Sequence, residues 1–380
     1  MNSSGVVDMV RAAVLFDMGR TQPFVDSQPL AITDVVLDSP GVGELLVKIE
    51  AAGVCHSDLS VVTGQRPRPM PMVLGHEASG VVEAIGPDVS GIKPGDHVVL
   101  AFMPQCGRCS YCVSGRTTLC SAGAKSNGAG TLLGGGVRIR DGHGAPIQHH
   151  LGVSAFSEYA VVHHSSAVVI DSDVPLDIAA LFGCAMLTGV GAVWNTAGVS
   201  EGDGVAVIGL GGVGLAAIMG AAVSGAYPLV AVDPSPEKRA LARELGATHD
   251  FSVSEADEGV KGLGGVRFAV EAAGVVPALE QAFRILERGG TAVSVGLPAP
   301  SATITLPALS FVAEAKGIVG SYMGSCRPGR DIPKMISLWR DGQLPVEKLL
   351  DGEVSLSDIN GALDRLEAGA AVRQIVRPNL

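Results

Sequence analysis

Four cysteines crowd one short stretch: Cys106, Cys109, Cys112 and Cys120, with the spacing C-x2-C-x2-C-x7-C. Four thiolates so near in sequence can close a tetrahedral shell around one Zn²⁺ and leave it no open position, which makes such a site structural. The spacing also resembles a ferredoxin run that would carry an iron–sulfur cluster. A Cys-Pro ending and a partner cluster are missing, so zinc is the expectation. A second set is dispersed. Cys55 stands in Gly53-Val54-Cys55-His56-Ser57-Asp58, His76 in Gly75-His76-Glu77 and Cys184 in Phe182-Gly183-Cys184. Two thiolates and one imidazole leave zinc an exchangeable position, as a Lewis acid needs. Spacing alone does not bring these three together. Taken singly, Cys184 in an apolar stretch reads as core, and His76 reads as a histidine with a local partner.

A third constellation is Gly209-Leu210-Gly211-Gly212-Val213-Gly214, which fits G-x-G-x-x-G. With 51 glycines in the chain, chance matches are expected, so context decides. The motif follows a short apolar run, opens a helical pattern, and precedes a second apolar run that ends in Asp233. The spacing to that acid is close to the roughly 20 residues of a dinucleotide fingerprint. Glycines there let backbone N–H groups approach a pyrophosphate at a helix N-terminus. Asp233 would hydrogen-bond the adenosine ribose and repel a 2′-phosphate, so NAD is expected over NADP. The bland alternative is a glycine turn followed by a solvated aspartate.

The surrounding elements must position these groups. The first third reads as β-rich, with runs at Val10–Phe16, Gly43–Ala51, Ala78–Ile85 and His97–Ala101 between turn signals such as Lys93-Pro94-Gly95-Asp96. The glycine-rich stretch Ser121–Gly144 shows no periodicity and is expected to be a long surface loop. Strand signal resumes over Ala155–Ile170. From about Pro175 the pattern alternates: helix Leu176–Trp194, strand Val205–Ile208, helix Leu215–Ser224, strand Leu229–Val232, helix Pro236–Leu245, strand Phe268–Glu271, helix Val276–Leu286 and strand Thr291–Val295. This is the signature of a doubly wound parallel sheet. A further helix is expected near Asp331–Arg340.

Composition narrows the classes. The chain has 380 residues, 47% hydrophobic and 17% charged, with a formal net charge of -11. That suits one or two packed domains and argues against disorder. No basic patch stands out, so nucleic acid and anionic membrane surfaces are not expected partners. Two uncharged stretches, Ile178–Ser200 and Val205–Val232, are long enough to pass for a membrane span, which needs about 20 apolar residues. Glycines and Pro228 instead favour buried strands and helices in a parallel sheet. The opening MNSSGVVDMVRAAV lacks the pattern of a secretory signal, so a cytoplasmic location is expected. There, clustered cysteines favour metal over disulfides.

Together these residues resemble the zinc-dependent medium-chain alcohol dehydrogenases. The segments GVCHSDLSVVTG, PMVLGHEASGVVEAIG, PQCGRCSYC with Cys120, GVSAFSEYAVV, FGCAMLTGVGAV and VIGLGGVGLAAI match that family in order and spacing, over nearly the whole chain. The resemblance implies an α/β protein: a Rossmann doubly wound parallel sheet plus a GroES-like, mainly β catalytic domain. The catalytic domain would span residues 1–186 and 323–380, and the NAD-binding domain 187–322. It implies two Zn²⁺ per chain and NAD. Cys55, His76 and Cys184 would hold the catalytic zinc, and Cys106, Cys109, Cys112 and Cys120 the structural one. Asp58 would orient His76, Glu77 would approach the zinc during ligand exchange, and Ser57 would hydrogen-bond the substrate oxygen. Thr188 would lie near the nicotinamide, Val295 among the cofactor-binding residues, and Lys238 and Arg373 at the adenosine ribose and pyrophosphate. His56 stands where some members carry a pyrophosphate-binding arginine. Phe102 and Met103 would line the substrate cleft. The long segment 121–152 resembles that of dimeric members, so a homodimer is expected.

The expected activity is reversible oxidation of a primary, apolar or aromatic alcohol to its aldehyde. One alternative is a glutathione-dependent formaldehyde dehydrogenase. That branch places an arginine after the fourth structural cysteine and acids before the G-H-E segment. Here those regions read Ser121-Ala122-Gly123-Ala124 and carry Arg66 and Arg68. A non-catalytic nicotinamide-binding relative is the other alternative, and the presence of all three ligands with Ser57 and Asp58 argues against it. Well-known members pass the alcohol proton to a histidine five residues after the first zinc ligand. Ser60 stands there, so a shortened relay, from Ser57 through the nicotinamide ribose to solvent, is expected.

Overall fold

The structure, a computed structural model, describes residues 7–380. The first part of the opening segment read for a secretory signal lies outside them. The chain divides into two compact units. The first runs to Cys184 and adds Arg327–Pro333 and Leu350–Leu380; the second comprises Ala185–Cys326 and Lys334–Leu349. The stretch Lys334–Leu349, expected with the catalytic domain, thus belongs to the second unit.

The first unit is built on two sheets. Strands Val7–Leu15, Leu30–Leu37, Ile139–Arg140, Pro146–His149 and Met72–Val73 close a small barrel. Val10, Ala12, Val14, Val35, Leu37 and Ile147 fill one core beside it, and these positions alternate along their strands as half-buried sheets require. The second sheet has the order Ala167–Ile170, His97–Leu100, Ala78–Ile85, Glu44–Gly53, Arg373–Arg377, Leu350–Ser355, with Tyr159–His163 also paired to Glu44–Gly53. Its central strand Glu44–Gly53 is buried along most of its length. The loops leaving this sheet carry Cys55, His76 and Cys106.

The second unit is a six-stranded, all-parallel sheet in the order His249–Phe251, Leu229–Val232, Val205–Ile208, Val266–Glu271, Leu286–Ser294, Gly317–Gly320. In chain order that is 3-2-1-4-5-6, the doubly wound arrangement with its switch point between the first and fourth strands. Val205–Ile208 and Leu229–Val232 are buried throughout, which is why they read as unbroken apolar runs. The uncharged stretch Val205–Val232 resolves into these two strands and the helix between them, and Ile178–Ser200 into short helices. Among the described residues no helix is long and apolar enough to cross a membrane.

Two expectations are corrected. Ser121–Gly144 is not a loop: it holds a helix, Ser121–Ala129, and a barrel strand, Ile139–Arg140. The helix has no apolar face to detect, because its residues are mostly Ser, Ala and Gly. It begins on an unusual cap, the Cys120 sulfur, and stops at Gly130 in the left-handed conformation. The expected single helix Leu176–Trp194 is two helices, Leu176–Leu181 and Ala185–Gly191, followed by a π-helical turn at Ala192–Ala197. The break falls at Phe182-Gly183-Cys184 and sets the cysteine at a helix junction.

Candidate active site and metal centres

The dispersed set converges. One ligand atom each from Cys55, His76 and Cys184 lies within 4.8 Å of the others, and all three residues are buried. Cys55 ends an extended segment and caps the helix His56–Val62. His76 follows Gly75, whose φ is +88° and whose Cβ, were there one, would sit 2.6 Å from the Phe156 nitrogen. Only glycine fits there, and it turns His76 inward. His76 Nε2 is buried without a hydrogen-bond partner. An orphaned buried nitrogen costs about 1–3 kcal/mol unless a ligand satisfies it. Two sulfurs and this nitrogen form a donor set that fits zinc.

The other ring nitrogen is accounted for. His76 Nδ1 lies 3.1 Å from Asp58 Oδ1, which also accepts the Gly75 N–H at 3.0 Å. A carboxylate only accepts, so Nδ1 carries the hydrogen and Nε2 keeps its lone pair for a cation. Burial opposes the charge on Asp58, but the charge on His76 and the polar contacts of His150 and His76 hold it at about 2. Burial likewise opposes a proton on His76, yet the Asp58 charge raises it well above the ordinary range. Cys55 is pulled well below the usual thiol range by the hydrogen bond from Cys184, then by Arg373 and His76, against burial. Giving that bond pushes Cys184 up. As ligands, His76 and Cys184 surrender their protons to a cation.

Arg373 and Glu77 border this set. Both are buried, with Arg373 Nε 3.6 Å from Glu77 Oε1. The guanidinium also donates to the Val54 carbonyl at 3.1 Å. Burial opposes its charge, but Glu77, Cys55 and Cys184 stabilise it and raise its pKa. The Phe102 ring meets His76 edge-on with centroids 5.4 Å apart. Asn127 braces Phe102 and its neighbour: its amide donates to the Phe102 carbonyl at 2.9 Å and lies 3.7 Å from the Met103 sulfur. Ser57 sits in the first turn of the helix after Cys55, and His56 is exposed beside it.

The clustered set is equally compact. The sulfurs of Cys106, Cys109, Cys112 and Cys120 all lie within 4.8 Å of one another. Backbone N–H groups point at them: Cys106 and Gly123 donate to Cys120 Sγ at 3.3 and 3.4 Å, and Cys109 to Cys106 Sγ at 3.4 Å. Backbone N–H of Cys112 and Ser121 draws Cys109 down to about 6. Burial beside Cys109 and Cys120 pushes Cys112 up to about 12. Four sulfurs with such donors fit a closed zinc shell. All seven cysteines are free of disulfides.

In the second unit the glycine turn joins the first strand to the helix Gly212–Val223, whose cap, Gly211, has no side chain to satisfy the first N–H groups. Gly209 has φ +89°, and a Cβ there would meet the Ala273 nitrogen at 2.7 Å. Asp233 ends the second strand. Its Oδ2 accepts the Leu210 N–H at 2.8 Å and its Oδ1 the Ser235 N–H at 2.9 Å. Lys238 lies on the next helix, half-buried. Val295 follows the fifth strand, its N–H held by the Glu271 carbonyl at 2.9 Å. Thr188 lies on the helix Ala185–Gly191, which packs against Gly212–Val223 at Gly189. Its hydroxyl is buried without a partner.

Two family descriptions match the chain: "Alcohol dehydrogenase GroES-like domain" over residues 41–172 and "Zinc-binding dehydrogenase" over residues 212–340. The chain belongs to the zinc-dependent medium-chain alcohol dehydrogenases. It is 32% identical to S-(hydroxymethyl)glutathione dehydrogenase of Paracoccus denitrificans, over 96% of this chain and 99% of that protein. It is 31% identical to the crystal structure of benzyl alcohol dehydrogenase from Acinetobacter calcoaceticus, with a TM-score of 0.90 over 98% of this chain and 99% of that one. A zinc-binding domain protein of the same family from Burkholderia ambifaria matches at 33% identity and a TM-score of 0.92, over 98% and 99% of the two chains. The chain is thus an alcohol dehydrogenase, an oxidoreductase of CH–OH groups with zinc and a nicotinamide dinucleotide as cofactors.

Two residues beside this dehydrogenase's site, His150 and Asn127, are not among those expected from the sequence. His150 Nδ1 lies 3.1 Å from Asp58 Oδ1. The signal was the pair His149-His150 in a stretch otherwise poor in chemistry, but nothing local tied it to Asp58.

Proposed function

We propose that the enzyme oxidises a primary alcohol with an apolar or aromatic body, reversibly and with NAD, at the Cys55–His76–Cys184 site. The carrying observation is the convergence of these three buried residues around a His76 Nε2 with no other partner. Zinc there supplies a Lewis acid for the alcohol oxygen, and the nicotinamide supplies the hydride acceptor. Asp58 keeps His76 in the ligating tautomer. Ser57 Oγ receives the alcohol proton and passes it towards solvent. Phe102 and Met103, both buried and apolar, exclude water and favour an apolar substrate body. Asp233 takes the adenosine ribose and disfavours a 2′-phosphate. Gly209, Gly211, Gly212, Val213 and Gly214 cradle the pyrophosphate. Thr188 and Val295 would hold the nicotinamide half and Lys238 the ribose, and Arg373 and His56 are the cations that would answer the pyrophosphate charge.

A second copy of the chain is the proposed partner. Strand Gly317–Gly320 ends the parallel sheet, and Leu309, Val312 and Val319 are exposed on and just before it. Pairing with the same edge of a second copy about a two-fold axis would close it. All seven free thiols suit a reducing, cytoplasmic compartment.

The second substrate reading is S-hydroxymethylglutathione, the substrate named for the Paracoccus relative. Here Ser121–Ala124 offers no cation after Cys120, and Arg68 is turned to the Asn127 carbonyl at 3.3 Å. A panel of linear alkanols, benzyl alcohol and S-hydroxymethylglutathione, followed by NADH formation, decides. Each added methylene should raise kcat/KM, because an apolar wall rewards it by about 0.8 kcal/mol. A steady fall from ethanol to hexanol, or a clear preference for the glutathione adduct, rejects the proposal.

A further inference from the structure

The Asp58 carboxylate is shared between two imidazoles. Oδ1 takes the N–H of Gly75 and of His76 Nδ1. His150 Nδ1 approaches the same oxygen at 3.1 Å, oblique to the line of a hydrogen bond. The rings of His76 and His150 stand edge to face, 5.5 Å between centroids. None of the three side chains is more than 1% exposed. The mechanism proposed above gives His150 no task.

Its placement is nonetheless built with care by the backbone. Just after it, two non-glycine residues take left-handed conformations, Leu151 (φ 50°) and Ser154 (φ 57°), which L side chains adopt rarely and at a cost. Hydrogen bonds hold the turn. The His150 N–H donates to Ser154 Oγ at 2.9 Å, and that hydroxyl donates to the Val73 carbonyl at 2.9 Å. Ala155 and Phe156 donate to the Gly75 and Leu74 carbonyls, each at 3.0 Å. The turn that carries His150 therefore grips the segment that delivers His76. Asp58 Oδ2 is buried with no partner, so nothing on that oxygen resists rotation of the carboxylate. Resistance must come from the groups around Oδ1.

We propose that His150 is a positioning residue for the catalytic metal site: it holds Asp58 in the rotamer that orients His76, and so sets how tightly the site keeps its metal. This rests on the assignment of Cys55, His76 and Cys184 as ligands. Groups that orient ligands in this way typically change metal affinity by about 10–100-fold when removed.

The test uses the metal-loaded enzyme, with release of each metal to a chelator measured per chain and the cobalt-substituted form followed by its visible spectrum. His150→Leu keeps the bulk and removes the polar ring edge that faces Asp58 Oδ1. It should speed loss of one metal by about tenfold or more and shift the cobalt bands, while the other metal stays. His150→Asn returns an N–H near the Nδ1 position and should bring release back to within about threefold of the parent, with the parental spectrum. Parental retention in His150→Leu overturns the proposal. So does equal loosening in both variants, which would mean that the ring's packing matters and its N–H does not. If His150→Leu fails to fold, His150→Phe takes its place with the same two outcomes: faster loss of one metal than in His150→Asn supports the proposal, and parental retention overturns it. Failure of the ligand assignment looks different, because Cys184→Ala would then keep both metals whatever the His150 variants do.

Discussion

The carboxylate of Asp233 accepts the backbone N–H of Leu210 at 2.8 Å, so the acid at the end of the second strand holds the glycine turn at the end of the first. Its other oxygen takes the Ser235 N–H. Each oxygen keeps a further lone pair for a ribose hydroxyl. One side chain thus shapes the glycine turn and, with NAD bound as proposed, would also take the sugar beside it.

Asp233→Gly should weaken binding of both nicotinamide dinucleotides, since the Leu210 N–H loses its acceptor. The loss should be larger for NAD, which also loses the ribose contact, while NADP escapes a repulsion. The NAD/NADP ratio of kcat/KM should narrow by roughly tenfold or more, about 1.4 kcal/mol. Steady-state kinetics with both cofactors measure it, and an unchanged ratio removes Asp233 from cofactor choice.

The two metal sites should separate by mutation. Cys184→Ala should leave one zinc per chain with the fold retained, because Cys106, Cys109, Cys112 and Cys120 form their own shell. Cys112→Ala should instead lower the thermal midpoint, because the lobe around helix Ser121–Ala129 loses its clamp; Cys120 both caps that helix and faces the other sulfurs. Elemental analysis with a melting curve checks both. Loss of both zincs in Cys184→Ala, or of neither, contradicts the assignment.

The clustered site was legible in the sequence because its four ligands lie in one lobe, where spacing stands in for distance. The glycine turn was legible for the same reason, as its strand, turn and helix are consecutive. Cys184 was not: its apolar neighbours Phe182 and Ala185 give it the profile of a core residue, and only resemblance to a family joined it to Cys55. His150 was invisible because it acts on Asp58 through a contact between remote segments, and of the three left-handed residues in its turn, Leu151, Gly152 and Ser154, only one is a glycine. Helix Ser121–Ala129 escaped because periodicity cannot be read from Ser, Ala and Gly. The unexpected membership of Lys334–Leu349 in the second unit is likewise a matter of packing, which residue type alone does not set.

His149, the neighbour of His150, should make the protein acid-sensitive. Its ring is fully buried and its Nε2 accepts the Arg138 N–H at 3.0 Å. Burial, with the nearby Arg138 charge, lowers its pKa from 6.5 to about 3. The folded state therefore binds this proton less readily than the unfolded chain. The stabilisation is complete above about pH 6.5 and is lost as pH falls towards 3. At pH 5 the loss is on the order of 1–2 kcal/mol. His149→Gln keeps an acceptor but does not titrate. Denaturant unfolding at pH 7 and pH 5 should show a smaller pH dependence in the variant than in the parent; equal slopes would assign the acid sensitivity elsewhere.

Ser60 occupies the position where well-known relatives place the histidine that ends their relay. Here its hydroxyl donates to the Ser57 carbonyl at 2.9 Å. That bond ties Ser60 Oγ to the helix backbone and uses its only hydrogen. A serine hydroxyl is in any case no general base near pH 7, where histidine titrates. In the proposed relay Ser57 Oγ passes the alcohol proton on without a terminal base, and the sequence-adjacent His56 is exposed rather than packed beneath it. Ser57→Ala should cut kcat severely, because the proton loses its first acceptor. Ser60→Ala removes one local helix contact and should change kcat by less than about threefold. Ser60→His should raise the rate below pH 8, where a base of pKa about 6.5 is largely free to accept the proton. A pH profile of kcat for the three variants measures this. Damage from Ser60→Ala as great as from Ser57→Ala would place Ser60 in the relay and end the case for a shortened one.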